Sequence, residues 1–170
     1  MSGYSCRQRG RCPFTSGNLI FERTPERLVG LGFRHWIAGF QTGEVGHWER
    51  AWNVYEASLG EQGARLALSE LSSWAKTLKA CSRRELCVHP CAYRSFCRDE
   101  CLAVAMVAAS QHNVCPALKS CSLALIESQM HGEVVAATES YGAVLRSLGQ
   151  MLTPETTRLA DIVGTPGALH

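Results

Sequence analysis

The chain has 170 residues, 46% of them hydrophobic, and its 17 Lys and Arg against 15 Asp and Glu give a formal net charge of +2. This length and hydrophobic share are typical of one globular domain and argue against a disordered chain. The near balance of charge provides no broad positive field to attract phosphates, so we expect no nucleic-acid partner.

The apolar residues are not concentrated enough to cross a bilayer. The longest apolar run, 102–109, is far shorter than the roughly 18 residues that a spanning helix needs, so we expect no membrane partner. The first residues also lack the apolar segment of a secretory signal. Unless a leader was removed before this numbering begins, we expect a reducing, cytoplasmic location.

The predicted elements begin after an irregular segment. Residues 1–23 contain scattered Gly and Pro without a sustained hydrophobic period, which predicts an irregular N-terminal arm. Thr24, Pro25 and Glu26 then combine a capping residue, a proline suited to the first helical position and an acid that the positive helix end favours. We therefore predict a first helix from Thr24 to about Phe40.

A second helix is predicted from residues that recur every three or four positions. These residues are Val45, Trp48, Trp52, Tyr55 and Leu59. This spacing puts them on one helix face, and we interpret the face as core and not as an aromatic ligand box, because aromatic side chains bury large areas. Gly60 is expected to end this helix, and a third is expected to run to about Ala80.

Four further helical segments follow. They are predicted to span 97–112, to start at Cys115-Pro116, to follow Gly132, and to run from Thr153 to about Val163. In the helix that starts at Cys115, we expect four residues to face the core. They are Leu118, Cys121, Ser122 and Leu125.

No alternating strand pattern and no hairpin signal appears anywhere in the sequence. We therefore predict an all-α fold, a compact bundle of about five to seven helices with an irregular N-terminal arm. The helical bundle domain is expected to span residues 24–163, and a loose C-terminal tail is expected over residues 164–170.

The most distinctive chemical feature is a cluster of cysteines. Seven of the nine cysteines lie at positions 81, 87, 91, 97, 101, 115 and 121. A step of four residues turns a helix by about 40°, so Cys87 with Cys91, and Cys97 with Cys101, would each present two sulfurs on one face. A step of six turns it by about 240°, so the two pairs converge only if the helix breaks. Pro90 supplies such a break.

Four convergent thiolates suit zinc, an iron–sulfur cluster or cuprous copper. We therefore predict a thiolate-bound metal centre that serves in sensing, storage or delivery. The predicted ligands are Cys87, Cys91, Cys97 and Cys101, with Cys81, Cys115 and Cys121 as additional ligands. The spacing lacks the Cys-x2-Cys pairs of common zinc and ferredoxin sites, so it names no particular metal.

Besides disulfides between helices, which a reducing location argues against, two alternatives to a metal centre stay open. In one, the cysteines pack as small apolar residues in a metal-free module whose apolar groove binds a protein partner. In the other, they form a thiol redox switch, with Cys115 activated by the helix that Pro116 begins. We expect His35, His47 and His131, which are isolated along the sequence, to be satisfied polar neighbours or surface residues and not ligands. No phosphate loop, nucleophile elbow or His-Glu-x2-His motif indicates a standard enzyme.

Overall fold

The computed structural model describes residues 23–158. Over this range the chain is all-α and contains no strand, which confirms the predicted fold class. The elements are α1 (Thr24–Thr42), α2 (Val45–Cys81), α3 (Arg98–Gln111), α4 (Cys115–Ile126), α5 (His131–Ser147) and a 3-10 turn (Pro154–Arg158). None of these helices is long and apolar enough to span a bilayer. The predicted arm up to residue 22, the end of the predicted last helix and the predicted tail lie outside the described residues.

Two glycines shape the first half of the bundle. Gly43 follows α1 with a left-handed φ of 73°, and its amide donates to the Gly39 carbonyl, so the chain reverses within a two-residue turn before α2. Gly60 interrupts α2 with φ 71° and ψ 171°, a conformation that glycine adopts without a steric penalty. The predicted break at Gly60 is thus present, and the predicted second and third helices are the two segments of α2.

The core is built around α3. Every residue from Cys101 to Ala109 is buried, because α3 is in contact with α1, α4, α5 and the 3-10 turn. The Trp74 ring of α2 stacks on Tyr141 of α5 with 5.1 Å between ring centroids. The Trp74 indole nitrogen also donates to Thr138 of α5 at 2.9 Å. The alanine-rich sequence of α3 lets neighbouring helices approach it closely.

The aromatic face of α2 is only partly core. Tyr55 is fully buried, whereas Trp48 and Trp52 are half-buried and Val45 is 62% exposed. The prediction that the whole aromatic face is core was therefore wrong for Val45, which is the first residue of α2 and lies at the edge of the bundle. The inward residues predicted for α4 are all buried, as expected. They are Leu118, Cys121, Ser122 and Leu125.

The connection between α2 and α3, residues 82–97, has no regular secondary structure and is called the connecting loop below. A buried ion pair fixes its second half. The Arg34 guanidinium of α1 contacts the Glu100 carboxylate of α3 at 2.6 Å, and both side chains are fully buried. Arg34 also donates to the carbonyl oxygens of Tyr93 at 2.6 Å and Ser95 at 2.7 Å. The loop backbone is thereby tied to two helices.

Carboxylates at the start of α3 satisfy the loop amides. Glu100 accepts from the Cys97 amide at 2.7 Å and from the His89 amide at 3.1 Å. Asp99 accepts from the Cys87 amide at 2.8 Å and forms a bidentate pair with Arg84 at 2.7 and 2.8 Å. The connecting loop is therefore held by side chains of the bundle along most of its length.

Candidate functional site

Three side chains from three different elements meet beside the connecting loop. The Cys91 sulfur of the loop lies 3.7 Å from Nδ1 of His35 on α1 and 3.6 Å from Nδ1 of His47 on α2. One candidate ligand atom from each residue lies within 4.8 Å of the other two. Within residues 23–158, no other group of three or more His, Cys, Asp or Glu side chains meets that condition.

The fold explains why these residues meet. The short turn at Gly43 brings the first turn of α2 back alongside α1, so the rings of His35 and His47 lie 6.4 Å apart between centroids. Arg34, the residue before His35 on α1, donates to two carbonyl oxygens of the connecting loop and so holds the loop against α1. His35 and His47 are only 5% and 9% exposed, while Cys91 is exposed. The site is thus buried on its histidine side and open on its cysteine side.

The surroundings of His35 keep its imidazole neutral. Burial, followed by the positive charge of Arg34 and by the neighbouring His47 and Arg50, lowers the pKa of His35 to about 4. At neutral pH the ring therefore carries one protonated nitrogen and one lone pair. A neutral imidazole is the form that binds a metal, because protonation removes the donor lone pair.

A carboxylate and a guanidinium flank the group. The Glu44 carboxylate lies 3.7 Å from Nε2 of His47, on the side of the ring away from Cys91. At this distance, and with its side chain 74% exposed, the Glu44 carboxylate makes an electrostatic contact with the ring and no hydrogen bond that would fix the tautomer of His47. Nη1 of Arg50, one turn further along α2, lies 3.9 Å from the Cys91 sulfur.

The distances suit two kinds of chemistry. A tetrahedral zinc ion with Zn–S of about 2.3 Å and Zn–N of about 2.0–2.1 Å separates its sulfur and nitrogen ligands by about 3.6 Å. The observed separations from the Cys91 sulfur are 3.6 and 3.7 Å. The same separations also permit a hydrogen bond between a thiol and an imidazole, which is the arrangement of an activated cysteine. The two sulfur–nitrogen separations are therefore compatible with a bound metal or with a thiol–imidazole hydrogen bond.

The other cysteines predicted to form the first metal site lie elsewhere. Cys97 is buried and its sulfur donates to the Cys87 carbonyl at 3.3 Å, while the buried Cys101 directs its sulfur at the Phe96 carbonyl at 3.9 Å. In the described part of the chain these thiols do not join Cys91 in a compact group. Cys91 is thus the one predicted ligand that lies in the histidine group.

The cysteines predicted as additional ligands are also dispersed. Cys81 is buried at the end of α2, 3.7 Å from the Glu133 carboxylate, and burial together with that negative charge raises the pKa of its thiol. A thiol held protonated is a poor metal ligand. Cys115 is exposed at the start of α4, and Cys121 is buried in the middle of that helix.

The histidines of the group were missed by the sequence analysis. His35 and His47 were expected to be polar neighbours or surface residues; both are buried, and both contact Cys91. One signal was available: the two histidines flank the Thr42-Gly43 turn and belong to helices that the turn makes neighbours. The third partner had no such signal, because the position of Cys91 depends on how the connecting loop folds back.

Fold and site together define the class: a cysteine-rich, all-α protein with a His/Cys group between two helices and a loop. No protein-family model, curated protein sequence or solved structure matches this chain. The function is therefore inferred from the chemistry of these residues alone.

Proposed function

We propose that this protein binds one zinc ion, or a similar divalent transition metal, through Nδ1 of His35, Nδ1 of His47 and the Cys91 sulfur. The supporting observation is the pair of sulfur–nitrogen separations, 3.6 and 3.7 Å, between residues of three different elements. Two imidazoles and one thiolate form a ligand set that suits zinc, whereas iron–sulfur clusters are held mainly by cysteines. Of the seven cysteines predicted as ligands, the proposed site contains Cys91, together with His35 and His47.

The metal would have an open coordination position. Zinc sites with three protein ligands leave a fourth position for water or substrate, whereas purely structural sites have four protein ligands. The connecting loop is already held by Arg34, Glu100 and the Arg84–Asp99 pair, so the fold does not require the metal to place Cys91. We infer that the metal serves binding or chemistry at that position and not folding.

The test is a zinc titration of the purified chain in competition with a chromogenic chelator. We expect one zinc ion per chain for the wild type. His47→Gln and Cys91→Ser should each lower the affinity by more than the roughly 10–100-fold that loss of an outer-shell partner costs. Cys115→Ser is the matched control, because it removes an exposed thiol of α4 and should leave the affinity unchanged.

A fourth variant separates this site from the four-cysteine site predicted from sequence. His47 belongs only to the group described here, and Cys97 belongs only to the four-cysteine site. We expect Cys97→Ser to bind zinc like the wild type; a loss of zinc in Cys97→Ser but not in His47→Gln would reverse the assignment. If the wild type binds no zinc and Cys91 is alkylated faster than Cys115, the group is an activated thiol and the metal proposal is wrong.

A further inference from the structure

Arg50 places a positive charge at the open side of the His35–His47–Cys91 group. It is exposed on α2, one turn after His47, and its Nη1 lies 3.9 Å from the Cys91 sulfur. Other arginines of the bundle are neutralised: Arg34 pairs with Glu100 and Arg84 pairs with Asp99. Among the described residues, no carboxylate forms an ion pair with Arg50.

The charge of the metal-bound group would also be positive. A divalent ion with one thiolate and two neutral imidazoles carries a net charge of about +1, and Arg50 adds a second positive charge at its open side. A neutral ligand at the fourth position would leave this charge uncompensated. An anionic ligand would offset it and would also accept hydrogen bonds from the guanidinium.

An oxygen at the fourth position and the Arg50 guanidinium would both lie near the Cys91 sulfur. An oxygen bound to zinc at about 2.0–2.2 Å, in tetrahedral geometry, lies about 3.6 Å from the coordinating sulfur. The Arg50 nitrogen lies 3.9 Å from the same sulfur, on the exposed side of the site. A guanidinium matches the planar geometry of two oxygens, one of which can also contact the metal.

We propose that the open position of this site takes an anionic oxygen ligand, the carboxylate or phosphate group of a small molecule, and that Arg50 orients it. This inference rests on the proposed metal site. Arg50 acts as a specificity-determining residue that contacts the ligand and does not coordinate the metal.

The experiment uses the full chain loaded with Co²⁺, whose visible absorption reports the coordination shell. Co²⁺ is titrated first, and acetate or inorganic phosphate is then added in separate arms. We expect one of the two anions to shift the Co²⁺ bands of the wild type. Arg50→Gln should lower the affinity for that anion at least about tenfold, because it loses a hydrogen bond to a charged group.

The affinity for Co²⁺ is a second measurement, and unlike the affinity for the anion it should not fall in Arg50→Gln. Because Arg50→Gln removes a positive charge near the metal, this variant should bind Co²⁺ as tightly as the wild type or more tightly. A variant with a damaged fold would instead bind both the metal and the anion less tightly. Arg65→Gln is the control, since Arg65 is an exposed arginine fifteen positions along the same helix that pairs with Glu61. It should change neither affinity.

The outcomes separate the two proposals. If Co²⁺ does not bind, the metal site is wrong and the anion inference is overturned with it. If Co²⁺ binds but neither anion shifts its spectrum, or if Arg50→Gln binds the anion as well as the wild type, only the anion inference is overturned. A stronger response to acetate would identify a carboxylate ligand, and a stronger response to phosphate would identify a phosphate ligand.

Discussion

Gly32 of α1 packs against the Tyr55 side chain of α2. A Cβ added at Gly32 would overlap the Tyr55 hydroxyl oxygen and would come within 3.0 Å of Leu71. The hydroxyl cannot easily move aside. It donates to the Leu28 carbonyl at 2.7 Å and, with its one hydrogen used there, accepts from the Tyr141 hydroxyl at 2.5 Å.

Gly32→Ala should therefore lower the free energy of unfolding by about 1–3 kcal/mol, the usual cost of overpacking a core. Urea denaturation monitored by circular dichroism measures this loss. Gly132→Ala is the control, because a Cβ at that position in the first turn of α5 meets nothing within 4 Å. It should leave the stability unchanged or raise it by up to about 1 kcal/mol. Equal losses in both variants would contradict this account.

At the scale of elements, the connecting loop depends on charges buried between α1 and α3. The Arg34–Glu100 pair is fully buried, whereas the Arg65–Glu61 pair of α2 is 69% and 62% exposed, yet both have a nitrogen–oxygen distance of 2.6 Å. The nitrogen–oxygen distance alone does not predict how much an ion pair contributes to the free energy of unfolding. Removing one partner of a buried pair leaves an uncompensated charge without water, while water solvates the remaining partner of an exposed pair.

We expect Glu100→Gln to lower the free energy of unfolding by about 3–5 kcal/mol and Glu61→Gln to lower it by less than about 1 kcal/mol. Urea denaturation of the set measures these values. Similar small losses for both glutamates would show that the loop does not depend on the buried pair.

At the scale of the whole molecule, the fold and the metal are expected to be separable. The core around α3 is extensive, and the connecting loop is anchored by side chains of α1 and α3. A ligand that binds only the folded chain still stabilises it by mass action. Metal should therefore raise the stability without changing the helical content.

Chelation with EDTA should leave the far-ultraviolet circular dichroism spectrum unchanged. Zinc at about one hundred times its dissociation constant should raise the free energy of unfolding by about 2.7 kcal/mol in the wild type and by almost nothing in Cys91→Ser. Chemical denaturation with and without zinc measures the difference. Unfolding on chelation would instead mean that the metal is structural.

The sequence by itself determined the class of the fold and most of its helices. The proline and acid after Thr24 marked the start of α1 to within one residue, although the N-cap residue is Arg23 and not Thr24 and no side chain caps the helix. Gly60 marked the break in α2, and Cys115-Pro116 marked the start of α4. These features are local, because capping, backbone conformation and hydrophobic period act over a few residues. They are therefore readable without knowing how the elements pack.

Only the tertiary structure decided the composition of the candidate site. The regular spacing of the cysteines predicted a thiolate cluster, but spacing along the chain says little about a loop that ionic contacts from distant helices hold in place. Arg34 and Glu100 are 66 positions apart, and the loop they hold brings Cys91 to His35 and His47. The cysteine cluster in the sequence thus contributes one thiol to the site, and long-range packing selects its partners.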